Sequence, residues 1–317
     1  MKKITISYPL TSDEIKQWGH PQAMAIGFFD GVHLGHQNLI RRAVDYAQKA
    51  GIPATVMTFH PHPKEVLGKP PTRAQYVTPL DDKIEKMVRL GVDRVYVVRF
   101  DEAFAGVSAE SFVHNMLFAL QVEHTVVGFD FTFGHQAAGD VDALRRLGEG
   151  RMTVDVVPSF PLDDKKISSS SIRAFLQEGK IHEVNRLLGC SYRMTGTVVP
   201  GEQRGRKLGF PTANLDLTAP YIVPRNGIYA VRVQRLETWY NGVMSIGLKP
   251  TFHDSMAVPA VEVHIFDFDE MIYGEQLRVE VVEYIRSERR FPSVDALIAE
   301  IARDSEKSKI ILRHWQK

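Results

Sequence analysis

The order of strand-like and helix-like segments changes once along this chain, and that change constrains the fold more than any single motif. Up to about residue 187, apolar runs typical of buried strands alternate with amphipathic segments, which favours a parallel sheet covered by helices. From residue 192 to about residue 285, strand-like runs follow one another without helices, which favours an antiparallel sheet or barrel. The sequence therefore predicts an α/β chain of two domains, residues 1–187 and 188–317.

The first half is predicted to bind its ligands where its strands end, because parallel sheets bind ligands at the carboxyl ends of their strands. We predict strands at residues 23–28, 53–59, 94–100, 125–129 and 152–157. The helix after the first strand is predicted to end at Gly51 and to bury an apolar stripe of Leu39, Ile40, Ala43, Val44 and Ala47. Further helices are predicted from Thr78-Pro79-Leu80 to Gly91, from Ser108 to Leu120, and from about Ser169.

The second half is predicted to be an antiparallel β-barrel that ends in one helix. We predict strands at residues 192–199, 227–233, 240–246, 261–266 and 277–285, with turn signals at Asn226-Gly227 and Asn241-Gly242. Residues 293–315 are predicted to form an amphipathic helix with Leu297, Ile298, Ile301, Ile310 and Leu312 on its apolar positions.

Charge and cysteine content exclude several classes of function. Lys plus Arg is 39 and Asp plus Glu is 38, so no strongly basic surface for nucleic acid is expected. The single cysteine, Cys190, permits neither an internal disulfide nor a cysteine-based zinc cluster. The sequence shows no signal peptide, and its apolar runs fall short of the roughly 20 residues of a membrane helix. We therefore expect a cytoplasmic protein without a membrane or nucleic-acid partner.

A glycine-rich segment, Gly27-Phe28-Phe29-Asp30-Gly31-Val32-His33-Leu34-Gly35-His36, joins the first predicted strand to its helix. Its glycines let the backbone approach a ligand, and the helix N-terminus attracts phosphate. The imidazoles of His33 and His36, three residues apart, can donate hydrogen bonds to phosphate oxygens. Transfer of a nucleotidyl group requires mainly such positioning and charge stabilisation.

This segment resembles the signature of the nucleotidylyltransferase superfamily, and Ile167-Ser168-Ser169-Ser170-Ser171-Ile172-Arg173 resembles its second motif. With residues 58–63 and 128–134, the set resembles the FMN adenylyltransferase half of prokaryotic bifunctional riboflavin kinase/FAD synthetases. The resemblance implies ATP binding by Gly27, Phe29, Gly35, His62, Ser168, Ser169 and Ser170. It implies flavin binding by Asp130, Phe131 and Phe133, and catalysis by His33, His36 and Arg173. Ser170 and Thr132 depart from the family's usual threonine and basic residue.

Structural alternatives exist for each of these residues. His33, His36, His60 and His62 have the composition of a zinc site, or the last two are simply loop residues. The alternation of Phe129, Phe131 and Phe133 is typical of one strand face. The serine run is also a typical helix cap, a role compatible with phosphate binding.

A second glycine-rich and basic segment covers residues 196–215. Four glycines and three basic residues suit a phosphate cradle of backbone N–H groups. The rigid turn Gly209-Phe210-Pro211-Thr212-Ala213-Asn214 then brings two oxygen-bearing side chains, and oxygen is the ligand that Mg²⁺ prefers. The structural alternatives are a plain proline turn, an exposed charged loop, and, for Glu262, a solvated strand residue.

This stretch resembles the flavokinase signature, and residues 227–231, 247–252, 261–264, 267–269 and 273–274 match that family in order. The resemblance implies that Thr212 and Asn214 hold Mg²⁺–ATP, that Gly201, Arg206 and Gly209 contact ATP, and that Glu262 is the general base. Arg286 is expected near the flavin or nucleotide. Pro200 departs from an often polar position.

The two resemblances together predict an enzyme that converts riboflavin and ATP to FMN, and FMN and ATP to FAD. Two alternatives remain open. One is a nucleotidyltransferase with another acceptor, such as phosphopantetheine or nicotinate mononucleotide, and the other is a flavin-binding protein without catalytic activity.

Overall fold

A parallel sheet of six strands organises the first part of the chain, as the alternating pattern predicts. The computed structural model describes residues 2–68, 74–159, 161–162, 165–201, 205, 208–249 and 258–315. The strands are β1 (Lys2–Ile6), β2 (Gln22–Ile26), β3 (Ala54–His60), β4 (Arg94–Arg99), β5 (Val122–Gly128) and β6 (Thr153–Val157). Their spatial order is β1-β4-β3-β2-β5-β6, so the topology reverses between β2 and β5, where a crevice for ligands opens.

The helices of this part cover both faces of the sheet. They are α1 (Ser12–Trp18), α2 (Leu34–Ala50), α3 (Pro63–Leu67), α4 (Leu80–Arg89), α5 (Glu102–Ala105), α6 (Ala109–Phe112), a π-helical turn (Val113–Phe118) and α7 (Val141–Gly148). The five predicted stripe residues of α2 are its buried residues, and Gly51 ends the helix in the left-handed conformation with φ 67°. Both predictions for α2 are confirmed.

Two other helix predictions need correction. Pro79 is the N-cap of α4 rather than its first residue, because its ψ of 165° is extended, and α4 ends at Arg89. Ser108 does cap a helix by accepting a hydrogen bond from the Ser111 N–H, but the segment divides into α6 and the π-helical turn.

The sheet separates two hydrophobic cores, which explains why β2 has no exposed residue. Ala23 and Ala25 belong to the core under α2 and α4, whereas Met24 and Ile26 pack in the core under α6 and the π-helical turn. A strand that is buried on both faces reads as a continuous apolar run, which is typical of parallel sheets. The end of β2, from which the glycine-rich segment starts, is therefore held between two packed layers.

The remainder forms a closed antiparallel barrel with flanking helices. After a short hairpin, β7 (Pro161–Leu162) and β8 (Lys165–Lys166), come α8 (Ser169–Glu178) and α9 (Ile181–Leu188). The barrel strands are β9 (Tyr192–Val199), β10 (Ala213–Leu217), β11 (Gly227–Arg235), β12 (Thr238–Lys249), β13 (Val258–Ile265) and β14 (Gln276–Arg286), followed by α10 (Val294–His314). By internal contacts the chain divides into Met1–Ser168 and Ser169–Lys317. The domain boundary at 187/188 stays a prediction.

A buried asparagine connects helix α9 to the barrel strands. The Asn185 side chain donates to the Val281 carbonyl at 2.9 Å and accepts from the Tyr192 N–H at 2.7 Å. A buried amide that is satisfied on both sides fixes the helix against two strands.

The barrel departs from the sequence prediction at one turn and one strand. Asn241-Gly242 lies within β12, and the β11–β12 turn is Leu236-Glu237, which pairs Arg235 with Thr238. Strand β10 was not predicted, because it is short and follows directly on the proline turn.

Helix α10 buries a partly polar face. Ile310 is 53% exposed, so its predicted apolar position is wrong, and the buried residues are Glu300, Asp304, Ser305, Ser308 and Leu312. The Ser308 hydroxyl donates to the Gly242 carbonyl at 2.8 Å, so hydrogen bonds replace apolar packing there. Within the described ranges, no helix combines the length and the apolar character needed to cross a membrane.

Candidate active sites

A cavity of about 610 Å³ lies at the carboxyl edge of the parallel sheet. Its lining comes from the segments that follow four strands: Gly27, Phe28 and Phe29 after β2, His62 after β3, Phe104 after β4, and Gly128 with residues 130–134 at the end of β5. The predicted position of the ligand site, at the carboxyl ends of the strands, thus coincides with a real cavity. Phe100 and Phe104 were not predicted as site residues, although Phe100 ends a predicted strand and Phe104 follows it.

The turn after β2 is tightly wound. Phe29, Gly31 and Val32 have φ values of 54°, 91° and 47°, and a β-branched residue in this region is strained. A Cβ on Gly27 would lie 2.9 Å from the buried Phe29 ring, so the glycine leaves room for that ring. Strain of this kind persists only where the surrounding structure fixes the backbone, and it is concentrated at functional sites.

The two histidines of the glycine-rich segment stack on each other at the start of α2. Their ring centroids are 3.5 Å apart with an interplanar angle of 17°. His33 is the N-cap, and its Nδ1 accepts a hydrogen bond from the His36 N–H at 3.3 Å. An accepting Nδ1 leaves the proton of the neutral ring on Nε2. His33 therefore has an N–H donor available, as phosphate binding requires.

Burial keeps both imidazoles neutral in the free protein. Desolvation lowers the pKa of His33 to about 4. Desolvation also lowers the pKa of His36 well below 6.5, with contributions from His33 and the Lys83 ammonium. Nδ1 of His36 is a buried atom without a hydrogen-bond partner among the described residues, and such atoms in native proteins usually have a bound water or ligand as partner.

The lowered pKa of His33 predicts that the unit with the parallel sheet, Met1–Ser168, is sensitive to acid. It is called the sheet unit below. An unfolded His33 binds a proton near pH 6.5, but the folded residue does so only near pH 4, so stability is lost as pH falls through this window and the loss for this residue totals about 3 kcal/mol. His33→Asn keeps an N-cap acceptor without a titrating ring. We expect it to reduce the pH 7-to-4 difference in unfolding free energy by about that amount. Denaturation followed by Trp18 fluorescence, with Trp239 and Trp315 changed to Phe, measures it. An unchanged pH dependence would contradict this assignment.

The predicted flavin residues occupy one wall of the same cavity but differ in exposure. Phe131 stacks on Phe133 at 5.6 Å, and Phe133 is buried against Phe112. Asp130 is exposed. Strand β5 ends at Gly128, so the alternative interpretation of Phe129 to Phe133 as a strand face is wrong. The aromatic wall suits a planar ring system.

Local geometry gives His62 a capping role and bears on the zinc alternative. His62 caps α3, since its Nδ1 accepts from the Lys64 N–H at 3.0 Å, and its ring meets Phe28 edge-on at 4.4 Å. In the parts of the chain that the structure describes, no group of three or more His, Cys, Asp or Glu residues is placed to hold a metal. The structure gives the zinc alternative no support.

The serine run spans the sequence boundary between the two units, and Arg173 follows it in the second. Ser168 closes the first unit and Ser169 begins α8. Ser170 is exposed and Arg173 is half-buried. The serine run does open a helix, whereas its grouping with His33 and His36 around one nucleotide stays a prediction.

Strand register brings the candidate residues of the barrel together. Glu262 on β13 is the cross-strand partner of Asn214 on β10 and of Ser245 on β12, so each of these two side chains emerges within about 5.5 Å of Glu262. Thr212 lies two residues before Asn214, just ahead of β10. A Cβ on Gly201 would collide with the Asn214 side chain, so this glycine makes room for the amide. Gly209 has the left-handed φ of 86°, and Arg206 lies outside the described residues.

Two cavities meet at Thr212. One of about 330 Å³ is lined by Glu262, His264 and Arg286, and the other, of about 260 Å³, is lined by Phe268 and residues 269–273. Thr212 lines both. The barrel thus offers two neighbouring compartments with the oxygen-bearing turn between them.

Arg286 is held by carboxylates that the sequence did not single out. Its guanidinium contacts Asp304 at 2.6 Å and Glu300 at 3.4 Å, both on α10 and both buried. His264 was also missed, and its Nδ1 lies 2.7 Å from the Pro211 carbonyl. A periodicity argument assigns charged helix residues to solvent, so only the tertiary structure reveals Asp304.

Comparisons with known proteins agree with this architecture. The sequence model of the FAD synthetase family matches residues 15–171, and that of the riboflavin kinase family matches residues 188–312. The bifunctional riboflavin kinase/FMN adenylyltransferase of Listeria monocytogenes is 42% identical over 309 residues, which cover 98% of each chain. The protein of the same name from Bacillus subtilis is 42% identical over 97% of each chain. That from Escherichia coli K12 is 37% identical over 89% of this chain and 90% of the relative.

A solved structure has the same fold over the whole chain. The crystal structure of a protein named macrolide-efflux protein from Streptococcus pneumoniae superimposes with a TM-score of 0.87 at 33% identity, covering 99% of this chain and all of the other. Two successive family matches, relatives aligned from end to end, and a parallel sheet followed by a closed barrel lead to one conclusion. This chain belongs to the bifunctional riboflavin kinase/FMN adenylyltransferase family.

Proposed function

We propose that this chain makes flavin cofactors in two steps, phosphorylating riboflavin to FMN in the barrel and adenylylating FMN to FAD at the edge of the parallel sheet. The observation that carries the proposal is the presence of separate cavities in the two units, one beside the first glycine-rich motif and two beside the second. Each step consumes one ATP. The barrel step releases ADP and the sheet step releases diphosphate.

The register of Glu262 supports its role as general base in the barrel. Its carboxylate takes the proton of the riboflavin 5′-hydroxyl, whose oxygen attacks the γ-phosphorus of ATP while the bond to the β–γ bridging oxygen breaks. The larger cavity, with Glu262 and Arg286, is assigned to riboflavin, and the smaller to ATP. Thr212, which lines both, then lies where the phosphoryl group passes.

The residues around Asn214 fit a magnesium ion carried with ATP. Both donors, the Thr212 hydroxyl and the Asn214 amide oxygen, are hard oxygen ligands, and the missing Cβ of Gly201 makes room for the Asn214 amide. A bound Mg²⁺ neutralises phosphate charge during transfer. The protein residues orient the nucleotide and remove the proton.

The stacked histidines support adenylyl transfer in the sheet unit. An FMN phosphate oxygen attacks the α-phosphorus of ATP, and the bond to the α–β bridging oxygen breaks. No base is needed, because the attacking phosphate is already ionised. Neutral imidazole N–H groups of His33 and His36 donate to the phosphate oxygens as negative charge shifts to diphosphate. The serine run and Arg173 are assigned to the same polyphosphate.

FMN is favoured over phosphopantetheine or nicotinate mononucleotide as the acceptor, because the same chain matches a riboflavin kinase family. The proposal is tested by chromatography of the products after incubation with riboflavin, ATP and Mg²⁺. FMN should appear first and FAD should follow. Binding of flavin without consumption of ATP would support the non-catalytic alternative and contradict the proposal.

A further inference from the structure

Lys83 of α4 carries an ammonium group into the interior of the sheet unit. The residue is 3% exposed. Its Nζ donates to the Phe28 carbonyl at 2.8 Å and to the Thr58 hydroxyl at 3.0 Å, and it lies 4.7 Å from the centre of the Phe28 ring. Desolvation lowers its pKa to about 8, against the opposing effect of Asp30. Burying an ammonium is costly, so the buried position of Lys83 requires a structural or functional reason.

The group that Lys83 binds is the Phe28 carbonyl, which directly precedes the strained residues of the turn after β2. The turn continues through the positive φ values of Phe29, Gly31 and Val32, each of which costs of order 1–3 kcal/mol for residues other than glycine. Such a backbone keeps one shape only when neighbouring groups hold it. The Thr58 hydroxyl also donates to the Phe28 carbonyl, at 3.0 Å, so Lys83 and β3 hold the same oxygen.

Helix α4 and Thr78, two residues before it, contact this turn at three points. The Thr78 N–H donates to the Asp30 carboxylate at 3.1 Å, Lys83 binds Phe28, and Lys86 donates to the Gly31 carbonyl at 3.2 Å. Of the two lysines on the helix that contact the turn, Lys83 is buried and Lys86 is half-buried. The next residues along the chain are His33 and His36, so the orientation of the turn sets where their rings lie.

We propose that Lys83 is a positioning residue for adenylyl transfer, which fixes the Phe28 carbonyl and thereby the turn that places His33 and His36 against ATP. This inference rests on the proposed function of the sheet unit. Lys83 itself is not assigned a contact with ATP. Its ammonium acts through the backbone, and its loss should loosen the turn while the sheet and both cores stay intact.

The test compares Lys83→Met with Arg89→Met, a matched control on the solvent side of the same helix, where Arg89 is 61% exposed. FMN and ATP are supplied to the full chain and FAD is measured. For Lys83→Met we expect the KM for ATP in FAD formation to rise by about tenfold or more, in line with the loss of a charge-assisted hydrogen bond. The KM for ATP in FMN formation from riboflavin should stay within about twofold of wild type, since that reaction uses the other unit.

The KM separates positioning from a merely structural role. Loss of folded protein lowers the apparent kcat in FAD formation and leaves the KM for ATP unchanged, and that result would overturn the proposal. Should Lys83→Met not fold, Thr58→Val removes the other donor to Phe28 at nearly constant volume, and we expect a rise in the same KM of about threefold. An unchanged KM in that variant would also overturn it. Wild-type protein that forms no FAD would instead contradict the proposed function.

Discussion

His36→Ala should lower the rate of FAD formation from FMN by about 100- to 1,000-fold, the usual loss when one donor to a charged transition state is removed. His36 is half-buried in the cavity wall, stacked on His33 and edge-on to Phe29 at 5.3 Å. A donor fixed in this way needs no reorganisation when charge moves onto the leaving diphosphate. Riboflavin phosphorylation should stay within about twofold of wild type, because the barrel unit has its own cavities.

The control for this variant is His20→Ala, which removes an exposed imidazole from the same unit. Initial rates of FAD formation from supplied FMN, and of FMN formation from riboflavin, are measured separately for both variants. Equal losses of the two reactions in His36→Ala would show that the histidine affects the whole chain, and the assignment of the sheet unit to adenylylation would then be wrong.

Glu262→Gln should have the opposite pattern. Removal of a positioned general base lowers a rate by about 100- to 10,000-fold, so FMN formation from riboflavin should nearly stop. Glutamine preserves the size of the side chain and the pairing of Glu262 with Asn214 and Ser245, which keeps the barrel intact. FMN that is supplied directly should still be converted to FAD at the wild-type rate.

Glu283→Gln is the matched control, since Glu283 is an exposed carboxylate on a barrel strand. Rates of ADP and FMN release are measured with saturating riboflavin and Mg²⁺–ATP. Retention of more than about a tenth of the wild-type rate by Glu262→Gln would be inconsistent with proton removal by this carboxylate and would favour the interpretation of Glu262 as a solvated strand residue.

Sequence patterns predicted those features of the fold that depend on local periodicity. The buried stripe of α2, the left-handed stop at Gly51 and the change from a parallel sheet to a barrel all follow from spacing that the structure confirms. The position of the first cavity also followed from sequence, because parallel sheets bind ligands at the carboxyl ends of their strands.

Features that depend on tertiary contacts were missed. Lys83 and Asp304 are charged helix residues whose partners, Phe28 and Arg286, lie far away in sequence, so helical periodicity assigned them no role. Ile310 was placed on the wrong face for a related reason, since α10 docks partly through polar groups. The pairing of Asn214 with Glu262 required the register of a strand that is only five residues long.

The most direct test of two separate sites is to mix His36→Ala with Glu262→Gln. Each variant alone should fail to convert riboflavin to FAD, the first stopping at FMN and the second leaving riboflavin unchanged. In the mixture, FMN released by His36→Ala diffuses to Glu262→Gln, and FAD should accumulate at a substantial fraction of the wild-type rate. A mixture that forms no FAD, although each variant retains its own single reaction, would contradict the account of two independent sites joined by a freely released intermediate.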